Sequence, residues 1–206
     1  MLSPDEASSH QLLLATSNPG KILEMKECLA GLPLELLTLK DLPNLPPQPH
    51  EGGSSHSENA ILKARYYFSH AAIPTIAEDS GVHVEALEGE LGIHTRRWGA
   101  GPEASDEEWI EYFLKRMRKE KNKRAYFHCV VAYCDDAGVL TFEGTCDGDI
   151  TDELEAPYLP GLPISACFKP DGNSSVFSAL SIEQKNYTSH RGRAMGRVRE
   201  WLGKRR

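Results

Sequence analysis

Apolar positions change their spacing several times along this chain, and each change marks an element. Leu12-Leu13-Leu14-Ala15 is apolar at every position, then gives way to Thr16-Ser17-Asn18-Pro19-Gly20-Lys21. A short continuous run that stops at turn residues reads as a buried strand. After Lys21, Ile22, Met25 and Leu29 recur at helical spacing as far as Gly31. The stretch therefore reads as strand, tight loop, helix. Asn18 can cap the helix, and Pro19 suits its first position, where a missing N–H costs nothing. Leu34 to Thr38 reads as a second strand. Pro43, Pro46, Pro47 and Pro49 then rule out a helix and give an extended loop, closed by Glu51-Gly52-Gly53.

Ser55-His56-Ser57-Glu58 has the pattern of a capping box. Behind it Ala60, Ile61, Ala64, Tyr67 and Phe68 form an apolar face, with Glu58 and Lys63 off the stripe, until Pro74 stops the helix. Thr75-Ile76-Ala77 reads as a short strand ending at Glu78-Asp79-Ser80-Gly81, and extended alternation resumes at Val82-His83-Val84. A loop-rich stretch over 89–101 precedes a second capping box, Ser105 to Glu108. Its helix buries Trp109, Ile110, Phe113, Leu114 and Met117 before a solvated charge run over 116–124. Ala125 to Tyr133 reads as a central strand, and Val139 to Thr145 as its hairpin partner. A Pro/Gly loop over 153–163 leads to a short strand, Ile164 to Phe168. Ser181 to Lys185 is one helical turn, and Ser189 opens the last helix, with Ala194, Val198, Trp201 and Leu202 inward. Mixed strands and helices with a hairpin predict an α/β fold on a mixed sheet.

Length and composition narrow the class. With 206 residues and 40% hydrophobic content, the chain suits one large domain or two closely joined lobes over 11–206. Residues 1–10 read as a short disordered extension that lacks a signal-peptide pattern. There is no long uncharged apolar run, so a cytoplasmic protein is the default expectation. Cys28, Cys129, Cys134, Cys146 and Cys167 are odd in number and not closely paired, which argues against disulfides or zinc. Cys129 and Cys134 should face opposite sides of a strand. A net charge of -7 disfavours nonspecific binding to nucleic acid or anionic membrane. It leaves room for a small anionic substrate where cations gather locally.

Four polar clusters could do chemistry: the loop with Lys21, Glu51 with Glu58, the Glu78-Asp79 pair, and Lys185 with His190-Arg191. The loop would aim backbone N–H groups, hydroxyls and one ammonium at a point suited to phosphate. It departs from the standard P-loop spacing, and the same residues also make an ordinary corner. Each other cluster has a plain reading too: a turn, a solvated loop, or an N-cap at Ser189 with His190 and Arg191 exposed. Arg97 could simply stack on Trp98. Together, carboxylates and cations at loop positions suit a metal–polyphosphate site. Carboxylates hold a hard cation such as magnesium, and Lys and Arg take phosphate charge.

Five ordered motifs sharpen this picture. They are Thr-Ser-Asn-Pro-Gly-Lys at 16–21, Glu-Asn-Ala-Ile-Leu-Lys-Ala-Arg at 58–65, Ala-Glu-Asp-Ser-Gly-Val at 77–82, Gly-Ile-His-Thr-Arg-Arg at 92–97 and Ser-His-Arg-Gly-Arg-Ala at 189–194. Over residues 11 to about 202 the chain resembles the inosine triphosphate pyrophosphatase family. That resemblance implies an elongated two-lobed α/β fold, a homodimer, and a magnesium requirement. It implies hydrolysis of ITP, dITP and XTP to the monophosphate and pyrophosphate in a central nucleotide cleft. By motif, Thr16, Ser17, Asn18, Gly20 and Lys21 would hold the triphosphate. Glu51 and Asp79 would bind magnesium with Glu78 helping, and Asp79 would also act on the attacking water. Ser80, Lys63 and Arg97 would line the site, and Lys185, His190 and Arg191 would meet the base and phosphates.

One stretch departs from the family. Where it carries Phe-Gly-Tyr/Trp-Asp-Pro before its Phe-x-Pro strand, this chain has Tyr158-Leu159-Pro160-Gly161-Leu162-Pro163-Ile164-Ser165. Aligned on Pro170, Gly161 replaces the base-stacking Phe and Ile164 replaces the Asp. Tyr158 is a candidate replacement surface. The expected chemistry is thus triphosphate hydrolysis with an altered base pocket. A Maf-type range of modified nucleotides and a non-catalytic nucleotide-binding regulator are the alternatives.

Overall fold

The computed structural model describes residues 11–205; the extension expected over 1–10 lies outside them. Six strands form one mixed sheet in the order β2-β1-β3-β4-β5-β6. β1 (Gln11–Leu14) lies between β2 (Glu35–Thr38) and β3 (Thr75–Val84), parallel to both. β4 (Arg124–Asp135), β5 (Gly138–Ile150) and β6 (Phe168–Pro170) continue the sheet antiparallel. The helices are α1 (Pro19–Leu29), α2 (His56–Ala71), α3 (Asp106–Met117), α4 (Ile182–Thr188) and α5 (His190–Lys204). Among the described residues, no helix is long and apolar enough to cross a membrane.

Both faces of the sheet are covered, which is why the three leucines of β1, Leu12, Leu13 and Leu14, are all buried. On one face Leu12 and Leu14 pack with Met25 of α1 and Met195 and Val198 of α5. On the other, Leu13 and Val130 meet Ala60 and Ala64 of α2. A third core lies at the far ends of β3 to β5, where Trp109 and Phe113 of α3 pack with Val82, Phe168 and Phe177. All five apolar residues expected to face inward from α3 are buried, each worth about 2 kcal/mol of burial. Cys129 and Cys134 fall in opposite cores, as their spacing requires, and all five cysteines are free.

Several boundaries differ from the sequence expectation, each for a stated reason. β3 does not stop at Ala77. β4 pairs with it continuously from Thr75↔Cys134 to Val84↔Ala125. β1 pairs only with its first two residues, Thr75 and Ile76. Glu78, Asp79 and Ser80 therefore lie mid-strand, where β1 has ended and the sheet opens a notch. The expected strand over Ile164 to Phe168 is instead a 3-10 turn, Pro163–Ala166, followed by β6. β5 runs past Thr145 to Ile150 because its far end pairs with Phe168. At α2 the capping box is shifted. Ser55 Oγ accepts from Glu58 N, but Glu58 takes the Ser54 amide and hydroxyl rather than the Ser55 amide. The box at Ser105 and Glu108 closes as expected.

Candidate active site

The opening loop leaves the sheet after Ala15, whose N–H donates to Ile76 O at 2.8 Å. Asn18 caps α1, accepting the Lys21 N–H at 3.1 Å, and Pro19 occupies the first turn as expected. Thr16 Oγ1 accepts the Asn18 N–H at 3.2 Å. Part of the donor set expected to face an anion is thus used by the loop itself. Gly20 is buried, and a Cβ there would stand 2.7 Å from Leu162 Cδ1. Only glycine allows the 158–165 loop to approach so closely.

Strand alternation divides the two adjacent carboxylates. Glu78 faces α1 and α5, where it pairs with Lys21 and stands 3.5 Å from Arg191 Nε. Ser80, two residues on, shares that face and accepts from Arg191 Nη2 at 3.1 Å. Asp79 faces α2. Its Oδ1 accepts from Lys63 at 3.1 Å, and its Oδ2 lies 2.6 Å from His56 Nδ1. Lys63 also reaches Glu51 at 3.0 Å. That bridge explains why Lys63, off the apolar stripe of its helix, is nonetheless buried. Asn59 fixes the approach of the Glu51 segment by accepting the Gly53 N–H at 2.9 Å.

Burial by itself would raise the Glu78 pKa, but the charges of Lys21, Arg191 and Lys63 outweigh it and hold the carboxyl well below its usual range. Asp79 is held low in the same way, against burial, by the His56 hydrogen bond and the Lys63 and Lys21 charges. Burial would lower Lys63, but Asp79, Glu51 and Glu78 raise it. All three groups are therefore ionised at neutral pH.

Ser189 does cap the last helix, accepting from Gly192 N at 3.0 Å, but His190 and Arg191 are buried rather than exposed. Arg191 pairs with Glu24, and Lys185 pairs with the other oxygen of the same carboxylate. Burial opposes ionisation of Glu24, yet those two cations hold its pKa below the ordinary value. His190 stacks on Phe127 at 4.4 Å, and burial above all keeps its pKa well below the usual 6.5. Arg97 is exposed on the rim, its guanidinium 3.4 Å from Ile93 O; Trp98 packs instead against Trp109, Tyr112 and Phe113.

These residues line two adjoining cavities. One, the more polar of the two, is bounded by the 16–18 loop, the proline loop, Glu51, Lys63, Glu78, Asp79 and Arg97. The other is largely apolar, walled by Trp109, Phe127, Ile164 and Phe177, with Lys185, His190 and Arg191 at its polar side. Asn18, Lys21, Ser80, Thr95 and Arg96 belong to both. Glu58 stands apart, held by Ser54. Among the described residues, no three His, Cys, Asp or Glu side chains converge as a ready-made metal cluster.

The divergent loop takes part directly. Asn18 Nδ2 donates to Gly161 O at 2.9 Å, and Gly161 N donates to Asp106 Oδ2 at 2.6 Å. Tyr158 does not line the apolar cavity; it lines a groove with Leu23, Glu27 and Ile182 that adjoins the cavity across Phe177 and Lys185. The aromatic walls come from Trp109 and Phe127, which periodicity marks only as core, and from Phe177, which no sequence pattern singles out. Glu24 and His56 also escape a sequence reading, because an acid on a helix and a polar first-turn residue carry no local signal of burial.

A model of the Ham1 family matches residues 12–201. The chain is 36% identical over 192 residues to a dITP/XTP pyrophosphatase of Leptospira interrogans, covering 93% of this chain and 96% of that one. It is 38% identical over 189 residues to a dITP/XTP pyrophosphatase of Thermus thermophilus, covering 90% and 88%. Among solved structures, a Staphylococcus aureus Ham1 protein superposes with TM-score 0.79 at 31% identity, over 95% of this chain and 100% of that one. A Coxiella burnetii HAM1 protein superposes at 0.80 with 30% identity, over 94% and 98%. The family model spans almost the whole described chain, and relatives at 36–38% identity cover nine-tenths of it or more: the chain belongs to the Ham1 family.

Proposed function

We infer that the protein hydrolyses non-canonical purine nucleoside triphosphates, of the ITP, dITP and XTP kind, to the monophosphate and pyrophosphate. The observation that carries this reading is the pair of cavities joined at Lys21 and Ser80. One offers cations and ionised carboxylates for a triphosphate, the other aromatic walls for a base. The activity named for the Leptospira and Thermus relatives supports the same assignment.

In this reading the 16–20 loop and Lys21 bind the phosphate chain. Asp79 orients water against the α-phosphorus. The new bond forms from the water oxygen, and the bridging oxygen to the β-phosphorus leaves with pyrophosphate. Asp79 is held ionised by Lys63 and His56, so its part is to direct the water and take its proton as the phosphorus–oxygen bond forms. The donor set fits magnesium: Glu51 and Asp79 already face one positive point, the Lys63 ammonium, through oxygen atoms alone. Glu51 and Asp79 would hold the ion; Glu78, on the opposite face, is engaged by Lys21. Bound magnesium neutralises phosphate charge and makes the α-phosphorus more electrophilic. We propose one two-lobed unit over 11–206, acting as a cytoplasmic homodimer, on the strength of the family resemblance.

The test is pyrophosphate release across a panel of purine and pyrimidine triphosphates, with and without magnesium. Preferential release from ITP, dITP or XTP with magnesium is expected. Release chiefly from a modified pyrimidine would replace the substrate assignment. Tight binding without release would replace the enzyme reading by a regulator.

A further inference from the structure

His56 is the first residue of α2, a position that is usually solvated, yet it is 4% exposed. Its Nδ1 stands 2.6 Å from Asp79 Oδ2, while Lys63 donates to Oδ1 at 3.1 Å. Each carboxylate oxygen thus has its own donor, and both donors come from α2, two turns apart. The partner of Nδ1 is a carboxylate oxygen, which accepts, so in this contact that nitrogen is the donor and carries the proton. The ring plane is also fixed. His83 and His128 pack nearly perpendicular to it, at 5.7 and 5.4 Å and at 81° and 86°. His83 in turn stacks on Tyr126 at 4.5 Å. His56 lines neither cavity of the active site; it borders a separate one with His83, Tyr126 and His128.

We propose that His56 is a positioning residue, which through its Nδ1–H sets the orientation of the Asp79 carboxylate toward the phosphate cleft. The proposal rests on the reading that Asp79 directs the attacking water. Lys63 alone cannot do this, because its flexible ammonium is shared with Glu51 and leaves the carboxylate free to turn about one contact. His56 supplies a rigid second contact. A misdirected base loses alignment with the reacting atoms but leaves the triphosphate contacts at Lys21 unchanged. The loss should therefore fall on kcat, by roughly ten- to a hundred-fold, with KM nearly constant.

Three variants and one spectrum test it. His56→Phe keeps the ring and removes the donor. His56→Asn places an amide N–H near the position of Nδ1. His56→Gln keeps a polar amide but displaces the donor. Expected are a fall in kcat for Phe and Gln, restoration of most of it by Asn, and unchanged KM. The wild-type protein should also show a deshielded imidazole N–H proton by NMR that disappears in His56→Phe and in Asp79→Asn. Wild-type kcat in His56→Phe, alongside an inactive Asp79→Asn, overturns the role of His56. So does an Asn variant as impaired as Phe at an unchanged unfolding midpoint. If His56→Phe does not fold, the Asn-to-Gln comparison decides. An active Asp79→Asn overturns instead the reading of Asp79 on which the proposal rests.

Discussion

Asp106, the first residue of α3, accepts the Gly161 N–H at 2.6 Å and so ties that helix to the loop over the opening turn. Gly161 has φ +82°, and a Cβ there would stand 2.4 Å from Asn18 Nδ2. Gly161→Ala should therefore do two things at once. The left-handed backbone becomes strained at a cost of about 1–2 kcal/mol, and Asn18 is pushed from the cap that orders Lys21. A lower unfolding temperature together with a higher KM is expected. Unchanged values of both would show that this junction does not organise the site.

Lys21 and Glu78 have separable roles. Lys21→Ala leaves a buried carboxylate short of a partner, which should cost about 3 kcal/mol of stability, and it also removes the cation proposed to bind the phosphate chain. Combining it with Glu78→Gln removes the stranded charge. Urea unfolding should then recover toward the wild-type midpoint, while KM for the triphosphate stays high. If KM recovers with stability, Lys21 acts only as a structural counter-ion.

The elements and the site were not equally legible. The cap at Asn18, the box at Ser105 and the inward face of α3 follow from local spacing, and the structure keeps them. Glu78-Asp79 misleads, because acidic residues normally break strands. Here β4 supplies continuous pairing and the notch beyond β1 admits the cations that neutralise them. Glu24 cannot be singled out locally. Its burial depends on Lys185 and Arg191, which arrive from the other end of the chain. Gly161 and Ile164, which alignment on Pro170 sets against the family's pocket run, line the apolar cavity, whereas Tyr158 lines the adjoining groove. Which side chains wall the apolar cavity is decided by the tertiary path of α3 and β4, not by any motif.

Asp79→Asn tests the chemistry most directly. Asn keeps the shape but cannot accept a proton or attract the Lys63 charge. Turnover should fall by roughly two to four orders of magnitude, measured as pyrophosphate release from the best substrate of the panel. Near-normal turnover would remove Asp79 from the mechanism.

Stability should fall in two stages on acidification. His190 is buried on Phe127 with a pKa well below 6.5. Below about pH 6.5 the unfolded chain binds a proton there and the folded chain does not, so stability declines by up to ~1.4 kcal/mol per pH unit. His83, also held low chiefly by burial, adds to the same slope. Glu24 and Glu78 have the depressed values of paired carboxyls. Their contribution is intact above the unfolded value of about 4.5 and is lost as pH falls through their lower folded values. His190→Phe keeps the stacking partner and removes the proton site. Urea unfolding between pH 7.5 and 3.5 should show a shallower upper stage in that variant and an unchanged lower one. Equal slopes in variant and wild type between pH 6.5 and 5 would show that His190 is already accessible to protons in the folded state.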